Sequence, residues 1–213
     1  MCKGLIGKKI GMTGIFTPEG DYIPVTVVRI GPCRVTQVKS EVTDGYNALQ
    51  LGFEENKPSR ITKPLKGHFA KSGDKCFSVI KEFAADNPAQ YTLGQTLVIT
   101  DVFNIGDRVD IAGTSKGRGF TGVVKRYGFH GGGQTHGCMS QRVPGSIGAS
   151  AWPSRVVKGK KMPGHYGNER NTIRNLMIVD IRPEDNIVLL KGAVPGPMSG
   201  VVEVIKPKIV KKK

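Results

Sequence analysis

Four residues in the later half of the chain, His130, His136, Cys138 and His165, carry side chains that bind metals or move protons. Their spacing suits neither task. His136 and Cys138 stand close together, but no second close ligand pair accompanies them, and zinc sites need one. No Asp or Glu lies between Ala112 and Asn168, so no acid in this segment orients a histidine base or helps to activate a thiol. The run GTSKGRG at Gly113–Gly119 matches neither the GxxxxGK[ST] phosphate loop nor a GxGxxG turn between strand and helix. These residues predict no catalytic group, no metal, no cofactor and no small-molecule substrate.

The same stretch is rich in cations instead. Its 57 residues, 112–168, hold nine Lys or Arg, three His and 14 Gly. Val, Ile and Phe supply eight positions and Leu none, too few large apolar groups to bury a core. Nine cations without an acid repel one another until a closely spaced anion neutralises them. A nucleic-acid backbone is such an anion. Glycine lets backbone N–H groups approach phosphates, and Arg offers bidentate contacts. Phe, Tyr, Trp and Pro at intervals argue against a merely solubilising linker.

Something must hold this segment, and the other 156 residues are enough for one core. The segment contributes +9 of the total +15, so the remainder is basic too. A pI near 9.8 with clustered Lys and Arg points to nucleic acid. A membrane partner is not expected. Gly and Pro forbid a long amphipathic helix in the segment, and no run of 18 apolar residues exists. The start, MCKGLIGKKIGM, lacks the continuous apolar stretch of a signal peptide. Cys2, Cys33, Cys76 and Cys138 form no CxxC pair, and a reducing cytosol is their simplest setting.

The body reads as strands. Leu5–Phe16 alternates apolar residues with Gly and Lys, and Tyr22–Ile30 is rich in β-branched residues. Cys33–Ser40 follows Gly31-Pro32, and Asp44-Gly45 predicts a hairpin turn into Asn47–Phe53, so that the whole is an antiparallel meander. A short helix is expected near Pro64–Lys71, with His68 solvated. Phe77–Phe83, Thr96–Ile99 and Arg108–Ile111 are further strands. Leu176–Ile181 and Ile187–Leu190 form a hairpin across RPEDN, and Val201–Ile205 ends the series. Many short strands with few helices predict a mainly β fold, closed or nearly closed into a barrel. The ending KPKIVKKK is a lysine-rich tail. Phe120, Val123, Val124 and Tyr127 recur at helical spacing, predicting a two-turn helix that Gly128 ends.

At these residues the chain resembles a known family. Phe103, Asp110, Gly113, Ser115, Gly117-Arg118-Gly119, Gly122 and Arg126 stand at the spacing of the signature of ribosomal large-subunit protein three, bacterial form. GLIGKKIGMTGIF at Gly4–Phe16, QRVPGSIGAS at Gln141–Ser150 and KGKKMPGHYGNER at Lys158–Arg170 are similar to the same family, in colinear order. The resemblance implies a six-stranded, Greek-key antiparallel barrel of the translation-protein type. It assigns 1–111 and 169–213 to that body, with an insertion at 54–95, and 112–168 to an irregular basic extension. A finger of about 128–167, with its tip near 146–153, is expected to reach toward the peptidyl transferase centre. The partners implied are large-subunit ribosomal RNA, near its 3′ domain, and neighbouring ribosomal proteins. The role implied is in early assembly, in the cytoplasm.

The expected RNA contacts are Lys8, Lys9, Lys116, Arg118, Lys125, Arg126, His130, His136, Gln141, Arg142, Ser146, Trp152, Arg155, Lys158, Lys160, Lys161, His165 and Arg170. Two positions depart from the pattern. Ala149 stands where some bacterial relatives carry a methylated glutamine, so that modification has no acceptor here. Gln141 replaces a common histidine. A free-standing RNA chaperone or processing enzyme is the competing class, and co-sedimentation with ribosomal particles separates the two.

Overall fold

The computed structural model describes residues 2–73 and 75–207, so the last six residues of the lysine-rich ending lie outside it. The chain divides into two compact units. One takes Met1–Thr114 with Arg170–Lys213, and the other takes Ser115–Glu169.

The first unit opens with β1 (Gly4–Phe16), β2 (Tyr22–Ile30), β3 (Cys33–Lys39), β4 (Ala48–Glu55), β5 (Phe77–Ala84), β6 (Thr96–Leu97) and β7 (Arg108–Thr114). The second unit holds β8 (Gly119–Thr121) and β9 (Gly164–Tyr166). The chain then returns to the first unit through β10 (Arg170–Arg182), β11 (Ile187–Lys191) and β12 (Val201–Ile205).

Six strands close a barrel in the order β1-β12-β7-β10-β11-β2, and every ladder in it is antiparallel. Closure leaves the barrel no unpaired edge. Alternation fills its interior: Val109 and Ile111 of β7 and Val202 and Val204 of β12 are buried. Between the latter two, Glu203 points the other way, to Arg170 at 2.6 Å and Lys81 at 3.1 Å. Burial would raise its carboxyl, but the hydrogen bonds from Arg170 and Lys81 hold it below the usual range.

The expected meander breaks at Gly31. This residue takes φ 68°, which only glycine adopts without strain, and with Pro32 it turns the chain out of the barrel. Strands β3 and β4 therefore join a separate sheet, ordered β5-β4-β3-β6. The Asp44-Gly45 hairpin turn is also corrected. Glu41–Asp44 is one turn of helix (α1), and Gly45, at φ 80°, ends it with its N–H on the Glu41 carbonyl. The strand expected to run to Ile99 stops at Leu97, where a 3-10 turn over Ile99–Asp101 takes over.

Barrel and sheet share one core. Leu5, Ile6, Ile30, Val109 and Ile111 pack in the same cluster as Val35, Leu49, Leu51 and Phe83. Cys2 and Cys33 lie in it as well, and burial pushes the Cys33 thiol up to about 12, so it stays protonated and unreactive at neutral pH. A smaller cluster of Phe69, Cys76 and Phe77 fixes the helix α2 (Lys63–Ala70). His68 is not solvated as expected. It is half-buried, with Nε2 at 2.5 Å from the Gln50 side-chain oxygen.

Candidate nucleic-acid interface

The second unit grows from two chain segments that run side by side. The Ser115 N–H donates to the Glu169 carbonyl at 2.9 Å, and the Arg118 N–H donates to the Tyr166 carbonyl at 2.8 Å. The pairing continues as β8 and β9, with Gly119 opposite Tyr166 and Thr121 opposite Gly164. Phe120 lies in this ladder and is 81 % exposed, so it is not part of the expected apolar helix stripe. The helix is one turn shorter than expected: α3 covers Val123–Tyr127, buries Val123 and ends at Gly128, φ 71°.

Two expected contacts turn inward. Arg126 is half-buried, and its guanidinium donates to the Met162 carbonyl at 2.8 Å. A Cβ at position 164 would lie 2.7 Å from that guanidinium, so Gly164 leaves the room it occupies. The Arg126 and Lys161 cations also flank the Tyr127 ring, at 5.1 and 5.7 Å from its centroid. Lys9, in the first unit, is the other. It is buried in the barrel wall, and its ammonium donates to the Val194 carbonyl at 2.8 Å and the Gly196 carbonyl at 3.3 Å. Strand alternation alone does not reveal this, because a bulge between Lys9 and Gly11 reverses the facing of β1.

The other expected contacts divide by what holds them. Lys8 pairs with Glu54 at 2.7 Å and Arg170 with Glu203 at 2.6 Å, so both are partly neutralised. Gln141 donates to the Gln134 carbonyl at 3.4 Å, and the Ser146 hydroxyl to the Gly148 carbonyl at 2.8 Å. Lys116, Arg118, Lys125, His130, His136, Arg142, Arg155, Lys158, Lys160, Lys161 and His165 are all exposed. Trp152 is 86 % exposed and Met139 98 %. The described residues bring no three of His, Cys, Asp and Glu together as a metal site.

Glycine sets the backbone of this unit where two segments touch. A Cβ on Gly131 would lie 2.3 Å from the Gln141 carbonyl oxygen, and one on Gly132 2.5 Å from that of Ser140. The Gly132 N–H closes the approach with a 3.0 Å bond to the Gln141 carbonyl. Beyond such points the unit is mostly turns with exposed side chains, and its backbone lies open to a ligand.

Sequence reasoning overlooked a second group of cations, on the excursion between β4 and β5. Lys57, Arg60, Lys63, Lys66 and Lys71 are exposed and have no carboxylate partner among the described residues. The signal was available as charge: residues 57–75 hold six Lys or Arg and one acid. No helix of the described residues is long and apolar enough to cross a membrane.

Fold and site define a closed β-barrel protein with an inserted cationic unit that has no acid before its last residue, Glu169. The family described as Ribosomal protein L3 matches residues 78–186. The chain is 57 % identical over 206 residues to the large ribosomal subunit protein uL3 of Desulforapulum autotrophicum, covering 97 % of this chain and 99 % of that one. It is 60 % identical over 206 residues to that of Desulfosudis oleivorans, with the same coverage. Against that of Geobacter sulfurreducens the figure is 49 % over 211 residues, 98 % of this chain and all of the other. The chain belongs to the ribosomal protein L3 family.

Proposed function

We propose that this chain is a structural constituent of the large ribosomal subunit in the cytoplasm, without enzymatic activity. It binds the ribosomal RNA directly near its 3′ domain and takes part early in subunit assembly. Residues 112–168 form the RNA-binding extension, which reaches toward the peptidyl transferase centre. Neighbouring ribosomal proteins flank the body. Its contacts are mainly to phosphate and ribose, so RNA shape matters more than base sequence. Trp152 stacks on a base, worth ~1–3 kcal/mol when fully engaged.

One observation carries the reading: the second unit has no acid before Glu169, and its cations are exposed except Arg126. Such a surface is stable beside a polyanion and self-repelling without one. Engagement of six to ten phosphates lowers RNA affinity by ~10³–10⁵ between about 50 and 200 mM salt. Replacing Arg155, Lys158, Lys160 and Lys161 together by Gln should reduce the log–log salt slope by about 3–4, at ~0.9 per phosphate on duplex and ~0.7 on single strands. Filter binding to large-subunit RNA checks it. A flat salt response of the parent protein, or the parent slope in the variant, overturns the reading.

A further inference from the structure

We infer that the excursion between β4 and β5 is a second RNA-binding surface, taking backbone phosphates on the outer face of α2. It rests on the ribosomal RNA reading and adds a separate place of contact in the first unit.

The helix fixes which side chains face outward. At about 100° per residue, Lys63, Lys66 and Lys71 fall on one side of the helix, and His68 and Phe69 fall on the other. The inner side is anchored. Phe69 is fully buried, edge-on to Phe77 at 5.7 Å, with Ile61 and Ile80 around them. His68 reaches Gln50 on β4, and the Ser72 hydroxyl closes the helix end on the Phe69 carbonyl at 3.0 Å. The outer side is therefore held in place before anything binds, which lowers the ordering cost of binding.

Among the described residues no carboxylate pairs with the charges on that face. Of the nearby described carboxylates, Glu54 is taken by Lys8 at 2.7 Å and Glu55 by Lys75 at 2.5 Å. Lys57 and Arg60 extend the row at the N-terminal side of α2, and both are exposed. Lys63 to Lys71 spans about 12 Å along the axis, within reach of several consecutive phosphates. A Cβ on Gly67, between Lys63 and Lys71 on the outer side, would meet nothing within 4 Å, so this face is open to a backbone. An anchored, one-sided row of cations with no carboxylate partner among the described residues fits a polyanion of regular spacing, which is RNA.

The test uses the full chain with Lys63, Lys66 and Lys71 replaced together by Gln, which leaves Phe69 and His68 in place. Binding to large-subunit RNA should show a salt slope lower by about 2–3 than the parent's. Hydroxyl-radical footprinting should lose one protected RNA segment, different from the segment lost when Arg155, Lys158, Lys160 and Lys161 are replaced. Circular dichroism checks that the fold is kept. Should the triple Gln variant unfold, Lys63→Arg, Lys66→Arg and Lys71→Arg together must keep the slope and the footprint. A slope and footprint equal to the parent's overturn the inference while leaving the function above intact. So does unchanged binding to free RNA with weakened binding to assembled particles, which assigns the face to an acidic protein neighbour. If the parent itself shows no salt-dependent RNA binding, the function reading fails first.

Discussion

Gly167→Ala should open the root of the cationic unit and leave the barrel intact. Gly167 takes φ 74°, and a Cβ there would stand 2.1 Å from the Lys116 carbonyl oxygen and 3.2 Å from the Arg118 nitrogen. Both neighbours are backbone, so neither can swing aside. The Arg118–Tyr166 hydrogen bond, 2.8 Å long, is what must give. Left-handed backbone in a non-glycine residue costs ~1–3 kcal/mol before any clash, so a total on the order of 3 kcal/mol is expected. Hydrogen exchange at the Ser115 and Arg118 amides should then speed up by roughly 100-fold, while barrel amides keep their rates. Gly137→Ala is the control. It shares the sign of φ, at 72°, but its Cβ would meet nothing within 4 Å, so it should cost only the strain, ~1 kcal/mol. Equal exchange in both variants would show that the contact at Gly167 has no such role.

Phe103→Ala is expected to have the largest effect on the first unit. Phe103 is 1 % exposed and lies in the core cluster that barrel and sheet share. Val102 closes the 3-10 turn onto the Ile99 carbonyl at 3.0 Å, and the Phe103 N–H donates to the same carbonyl at 2.9 Å, so its backbone is tied to the turn. Removing the ring leaves a cavity in a cluster built from residues of both layers. The cost should be ~3–5 kcal/mol, a fall in Tm of roughly 6–20 °C. Thermal unfolding followed by circular dichroism measures this. RNA affinity of the folded variant at low temperature should remain near the parent's, because the core cluster that holds Phe103 includes none of the candidate contacts. A Tm within 2 °C of the parent's would show that the two layers do not depend on a shared core.

The strands of the barrel were legible because burial on one face leaves a local trace. Tyr22–Ile30 and Leu176–Ile181 carry the β-branched and alternating residues of strands wherever their partners lie. The helix α2 was legible from a local pattern as well. What escaped depends on segments far apart in the chain. Phe120 continues the helical period of Val123 and Tyr127, yet it pairs with His165, 45 residues away. That pairing outweighs one turn of helix. Gly31-Pro32 looked like an ordinary turn inside a meander, and only the positive φ shows that it redirects the chain into another sheet. Among the cations, sequence separates neither Arg126 from Lys125 nor Lys9 from Lys8. The inward pair donate to the carbonyls of Met162 and of Val194 and Gly196, and carbonyls leave no mark in a sequence. The row on α2 was visible in composition, but its use required knowing that Phe69 and His68 face the sheet.

The cationic unit leaves the barrel after Thr114 and returns at Arg170, and these two residues are register partners in the β7–β10 ladder. One proteolytic cut between 130 and 160 thus severs the polypeptide at a place where no barrel ladder depends on its continuity. The upstream fragment keeps β1, β2 and β7, the downstream one keeps β10, β11 and β12, and the β1–β12, β7–β12, β7–β10 and β2–β11 ladders bind the halves to each other. Clipped protein should elute as a single species in native buffer and resolve into two chains only in denaturant.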